Sequence, residues 1–264
     1  MNKLIKYTLL LVVLLGGTKL YAWNNRMHYT VALIAEQQLD PKVKKRAEKI
    51  LGAELQKGAI WFNTLRRNAE TRHTQSWHNL HLDKNMMSVT TEESDAVMQI
   101  ERCADILRHS KQHKDSTVVA ALKLIIHVVG DMHCPTHVYF QGGPALSKFS
   151  FGITNDRWDH PATRKTTWRA FWNSWFSTEH PGFTPELYAE DLAVYYRKNK
   201  DEWAAGSVRD WANDMGRECR WLHDRIKPDC TINSEFKARL ENVNDRCIAK
   251  AGLRLGALLN EILK

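Results

Sequence analysis

The segment His127-Val-Val-Gly-Asp131-Met-His-Cys-Pro-Thr-His137 concentrates the groups that bind transition metals. His127 and Asp131 are four residues apart, so a helix stacks them on one face. His137 follows Pro135, where a helix is disturbed. Imidazole and carboxylate are groups that zinc accepts. The stretch from Leu122 to Val129 is otherwise strongly apolar. An ionised Asp131 buried among those residues is costly unless it is paired or metal-bound. The pair alone is weak, because core histidines and capping aspartates are common.

Other residues of the same chemistry lie near aromatic anchors. His28 comes five residues after Trp23, His78 follows Trp77, and Asp159 and His160 follow Trp158. Trp61-Phe-Asn63-Thr-Leu-Arg66 adds an amide and a cation. A free α-amino group has a pKa near 8, so a chain beginning at Trp23 would offer its terminal nitrogen as a further ligand. Each of these residues taken singly reads more simply as a surface or core residue.

The elements that must carry these groups are helices. Apolar periodicity predicts helices over 27–38, 42–51, 93–109, 117–133, 161–177, 185–198, 207–225 and 234–263. Pro41, Pro161 and Pro185 fall where a first-turn proline is tolerated. Strand patterns are nearly absent, apart from a short pair near 77–83 and 147–153. Trp168, Trp172, Trp175 and Phe176 recur at helical spacing and read as a packing stripe before they read as a base-stacking platform. There is no repeat or low-complexity segment, and Gly142-Gly143-Pro144 marks a loop. The expectation is one all-α domain.

The N-terminus reads as a secretory leader over residues 1–22. Lys3 and Lys6 precede an apolar run from Tyr7 to Leu15, and Leu20-Tyr21-Ala22 resembles a cleavage site. The run is too short to span a bilayer. The expected mature chain is 23–264, exported to a periplasm or the medium. The full chain carries +8, and the leader takes three lysines with it. That balance suits an anionic partner without selecting one. Export permits disulfides among Cys103, Cys134, Cys219, Cys230 and Cys247, with an odd thiol left over.

Taken in order, these motifs resemble the zinc-dependent single-strand-specific nucleases, the S1/P1 nuclease family. The resemblance runs from Trp23 to the tail. It includes Trp23-x4-His28, the Trp61/Asn63/Arg66 segment, Trp77-His78, His127-x3-Asp131-x5-His137, Trp158-Asp159, Trp211-Ala-Asn-Asp214 and Ala251-Gly-Leu-Arg-Leu-Gly-Ala-Leu-Leu-Asn260. It implies a mostly helical fold of the phospholipase C/P1 nuclease type with a multinuclear metal cleft. It also implies up to three zinc ions. One would be held by the Trp23 amine and carbonyl with His28, a second by Asn63, His78 and His127, and a third by His137 and Asp159. Asp131 would bridge the first two and serve catalysis, and Arg66 would contact the reacting phosphate. The implied activity is endonucleolytic cleavage of single-stranded DNA or RNA by a metal-bridging hydroxide, with 5′-phosphorylated products and 3′-nucleotidase activity as a companion. No stable protein partner is implied, and the expected form is a monomer.

Three departures bear on that expectation. Asn63 stands where the family has an aspartate, and an amide is a poorer zinc donor. The usual third-site histidine is missing; Asp156, His160 or His133 are substitutes left open. Asn79 and His81 occupy the substrate-binding positions where the family has an aromatic and an acid or amide. Two alternatives therefore stand beside the nuclease: a zinc phospholipase C, and a degenerate member that binds metal or a phosphorylated ligand with little turnover.

Overall fold

The computed structural model describes residues 23–65, 69–89, 94–143, 149–155, 162–180 and 182–264. Residues 1–22, where a leader is expected, therefore lie outside the described residues, as do Arg66, Asp159, Asp156 and His160. Helices dominate, and the all-α expectation is met. The helices that build the site are α1 (Asn25–Glu36), α4 (Trp61–Leu65), α6 (Asp115–Met132), α7 (Trp168–Glu179), α10 (Val208–Arg225) and α11 (Ser234–Ile262). Around them lie α2 (Pro41–Leu51), α3 (Leu55–Gly58), α5 (Ala96–Arg108), α8 (Pro185–Tyr195) and α9 (Lys200–Ala204). Pro41 and Pro185 occupy first-turn positions, where a missing N–H costs nothing.

The central element is α6. From Leu124 to Met132 every residue is buried, so this helix is apolar nearly all round and its polar exceptions, His127 and Asp131, have no access to bulk water. Helix α5 lies along it on one side, and α1, α2, α3, α4 and α11 reach it elsewhere. The N-cap Asn24 accepts from the Met27 amide, starting α1 just before His28.

Helices α1 and α11 pack unusually closely because α11 offers glycine at the contact. A Cβ built on Gly252 would stand 2.5 Å from Ile34 Cβ, and one on Gly256 would stand 2.8 Å from Gln38 Cβ. The Ala251–Asn260 motif thus sets how far α1 sinks into the protein. Its last residue closes the contact, with Asn260 donating to the Gln38 carbonyl and accepting from the Asp40 amide. We expect Gly252→Ala to destabilise the protein by roughly 1–3 kcal/mol, since overpacking outweighs the helical gain of alanine over glycine. A denaturant melt checks this, and a neutral or stabilising result would contradict the close approach.

Two small sheets correct the strand expectation. Strand β1 (Leu80–Leu82) pairs in parallel with β2 (Val138–Phe140), which follows His137 directly. Strand β3 (Ser150–Asn155) pairs antiparallel with β4 (Ala162–Thr167) and in parallel with β5 (Thr231–Ile232). The segments near 77–83 and 147–153 are thus not partners of each other. The helix expected over 161–177 starts only at Trp168. Its first stretch holds Thr163, Thr166 and Thr167, whose β-branched side chains suit a strand.

Within the tryptophan stripe, Trp168 and Trp172 are core, as expected of their spacing, while the side chains of Trp175 and Phe176 lie outside the described residues. Trp168 and Trp172 are buried and meet edge to face, 5.2 Å between ring centroids. The five cysteines, by contrast, are all free thiols, so the expected disulfides are not formed in this structure. Among the described residues no helix is long and apolar enough to cross a membrane.

Candidate metal centre

Four histidines from three separate stretches of chain surround one carboxylate. His28 Nε2 lies 3.5 Å and His137 Nε2 3.3 Å from Asp131 Oδ1. His127 Nε2 lies 3.0 Å from Oδ2, and His78 Nδ1 contacts the same oxygen. The two carboxylate oxygens therefore face different pairs of imidazoles. All five side chains are buried.

Each histidine is positioned by a nameable feature. His127 sits on α6 one turn before Asp131. His28 stacks on His127, with ring centroids 4.0 Å apart and planes 13° from parallel. This contact exists because position 130 is glycine: a Cβ there would come within 3.0 Å of His28 Nδ1. His78 ends a 3-10 stretch (Ala69–His78) and stacks on Phe62 of α4 at 4.2 Å. His137 ends the turn Pro135–His137 that breaks α6 from β2.

Hydrogen bonds fix the ring protons. The Ala59 carbonyl can only accept, so the His127 Nδ1–H donates to it at 2.6 Å. His127 Nε2 is then bare and turned toward Asp131. The His137 Nδ1–H donates in the same sense to Asn79 Oδ1 at 3.0 Å. This is the arrangement by which outer partners hold metal-binding imidazoles in one tautomer. Burial and the neighbouring His127 push His28 down to about 4, so its imidazole is neutral at physiological pH. Burial opposes ionisation of Asp131, but His127, His137 and His78 outweigh it and hold the carboxyl well below its usual range.

The residues fit a cation. His127 Nε2 and Asp131 Oδ2 lie 3.0 Å apart in a buried site, where either protonated imidazoles or a bound cation must supply the positive charge that holds the carboxylate ionised. His28, His127 and Asp131 each offer a ligand atom, all within 4.8 Å of one another. His28 Nδ1 and Asn63 Nδ2 are buried without a hydrogen-bond partner. Asn63 itself lies on α4, which packs on α6.

Trp23 is fully buried, and its indole N–H donates to Asn244 Oδ1 at 3.2 Å, which anchors this residue against α11. His133 is removed from the ligand candidates. Its Nδ1–H donates to the Val129 carbonyl at 2.7 Å, and its Nε2 accepts from Arg254 at 2.9 Å. Both ring nitrogens are thus committed within the protein, and burial with the Arg254 charge pushes its pKa down to about 3.

Beside His137 opens a cleft of about 460 Å³, lined also by Gln75, Ser76, Asn79, His81, Tyr139 and Arg169. Asn79 and His81 thus both line this cleft, and Asn79 spends its oxygen on His137. Tyr139 and Arg169 were not singled out from the sequence. The alternation of β2 after His137 would have pointed to Tyr139; nothing local marks Arg169.

Comparison with known proteins agrees with this geometry. A family model described as S1/P1 Nuclease matches residues 23–264. The chain belongs to the S1/P1 nuclease family. It is 24% identical to Endonuclease 4 of Arabidopsis thaliana, over 96% of this chain and 93% of that protein. It is also 24% identical to Nuclease S1 of Aspergillus oryzae, over 92% of each. Membership supports a nuclease-type hydrolase with nucleic acid as substrate and a metal requirement.

Proposed function

We propose that the chain is an exported, zinc-dependent phosphodiesterase that cleaves single-stranded DNA or RNA, acting as a monomer after removal of residues 1–22. The observation that carries this reading is the sharing of Asp131: its two buried oxygens face two different histidine pairs. Such a carboxylate is suited to lie between two cations. In this reading His28 and the Trp23 terminus hold one zinc, and Asn63, His78 and His127 hold the second. His137 and Asp159 hold a third, and Arg66 meets the phosphate. Arg66 and Asp159 enter on the family resemblance alone.

Bound zinc supplies Lewis acidity toward a phosphoryl oxygen and lowers the pKa of water near neutrality. The protein's own residues do the rest. Asp131 provides the fixed negative charge that gathers cations. Ala59 and Asn79 hold His127 and His137 with their bare nitrogens inward. Burial keeps His28 neutral and ready to bind. The cleft beside His137 would admit a flexible strand with its phosphate toward the cluster, a reading supported by His137 lining both. Products would carry 5′-phosphates, and a terminal 3′-phosphate would be a second substrate.

The test is metal stoichiometry and hydrolysis, measured on protein exported and processed by its own leader. The expected result is bound zinc with single-stranded DNA cut well ahead of duplex. A chain that keeps residues ahead of Trp23 should hold one zinc fewer. Absence of zinc, or hydrolysis of phosphatidylcholine without hydrolysis of nucleic acid, would overturn the reading.

One observation favours a second reading, metal or phosphate-ligand binding with little turnover: Asn63 puts a neutral amide where a carboxylate would balance charge. On that reading Asn63→Asp raises single-stranded DNA hydrolysis by about tenfold or more, each 1.4 kcal/mol of recovered transition-state binding being a factor of about ten. A fast wild type with no gain on substitution would remove it.

A further inference from the structure

Strands β1 and β2 do more than connect the metal-site histidines. They continue from His78 and His137 respectively, and their register sets His81 opposite Tyr139. Paired residues of a parallel ladder project to the same face. Leu80 and Val138, also paired, turn to the buried face. His81 and Tyr139 are partly exposed and face the cleft, with rings 5.6 Å apart and 22° from parallel. The result is a preformed aromatic stack two residues beyond His137.

Across the cleft stands Arg169, in the first turn of α7, which packs against the Pro135–His137 turn. Its guanidinium makes no hydrogen bond or ion pair among the described residues, in contrast to Arg246 and Arg254, which are committed to acidic partners. A partly buried, uncommitted guanidinium beside an aromatic stack has the chemistry to receive a phosphate. The cleft volume of about 460 Å³ is of a size to hold one nucleotide.

We propose that Tyr139, backed by His81, is the base platform of this cleft and that Arg169 holds the phosphate of the nucleotide lying on it. The inference rests on the nuclease reading and deepens it: the ligand is an unpaired nucleotide of a single strand. Tyr139 would supply from β2 the stacking surface that Asn79 cannot supply from β1. A paired base cannot lie on the platform without leaving its duplex stack, so the same feature favours single strands.

The experiment uses the zinc-loaded mature chain and two substrates, a single-stranded oligothymidylate and an abasic oligomer of equal length. Tyr139→Ala should raise KM about tenfold on the oligothymidylate and leave the abasic oligomer unchanged. Tyr139→Phe should behave as wild type, and Arg169→Gln should raise KM on both. Equal KM for wild type and Tyr139→Ala, or an equal loss on both substrates, overturns the platform. If the wild type cuts neither substrate, the catalytic reading fails, and fluorescence anisotropy with labelled oligothymidylate decides this one. Binding weakened by Tyr139→Ala upholds the platform; no binding by the wild type sinks it.

Discussion

Replacing Asp131 with asparagine should abolish zinc retention and reduce phosphodiester hydrolysis by at least about a hundredfold, the scale of losing one preorganised electrostatic group. The substitution keeps shape and removes the charge on which four histidines converge. It also puts an N–H₂ donor where an oxygen faced two imidazole nitrogens. The stability readout separates this role from a structural one. Without metal, the imidazoles outweigh burial and favour the ionised carboxylate, so Asp131→Asn should also melt at a lower temperature than wild type in chelator. With zinc, wild type should gain stability by mass action and the variant should not. Full activity and an unchanged zinc-dependent shift in the variant would exclude Asp131 from the metal centre.

The ligand-type residues were legible in the sequence because their chemistry and order are local. His127, Asp131 and His137 are readable from one segment, since four residues of helix and one proline largely determine their relation. His28 and His78 needed the family pattern, because nothing local shows that α1 lies on α6. The reason they meet is glycine. Gly130 lets His28 reach His127, and Gly252 and Gly256 let α1 sink against α11. A sequence reader sees those glycines as helix-weakening and cannot see what they admit. His133 was ambiguous for the opposite reason, as its partners are a carbonyl on its own helix and an arginine far along the chain. Strand β4 was lost to a helix because its pairing with β3 is a tertiary choice that helical periodicity does not register. Tyr139 went unnoticed because the alternation that would mark it runs over only three residues, too few to announce a strand.

The Arg254 network makes the second large prediction, and it links the tail motif to the metal centre. Arg254 is 4% exposed, and each of its three nitrogens is used. Nε donates to the Trp203 carbonyl at 2.9 Å, Nη1 to His133 Nε2 at 2.9 Å and Nη2 to Asp214 Oδ2 at 2.6 Å. Lys250 donates to the same Asp214 oxygen and to Glu218, which also pairs with Arg246. The two carboxylates of α10 are thus shared among three cations of α11 in a half-buried array with one positive charge to spare, and Arg254 reaches on to His133, the C-cap of α6. Removing Arg254 takes the donor from the Trp203 carbonyl and from buried His133 Nε2 and leaves Asp214 to Lys250 alone. We expect Arg254→Met to cost about 3–5 kcal/mol in a denaturant melt, although methionine fills much of the same volume. Restoring charge with Arg254→Lys should recover only part, because an ammonium cannot reach three partners fixed for a planar fork. His133 lies between Asp131 and His137, so the methionine variant should also lose zinc affinity while leaving every ligand in place. A loss below about 1 kcal/mol, within the range of an exposed ion pair, would mean that the array adds nothing beyond surface pairing.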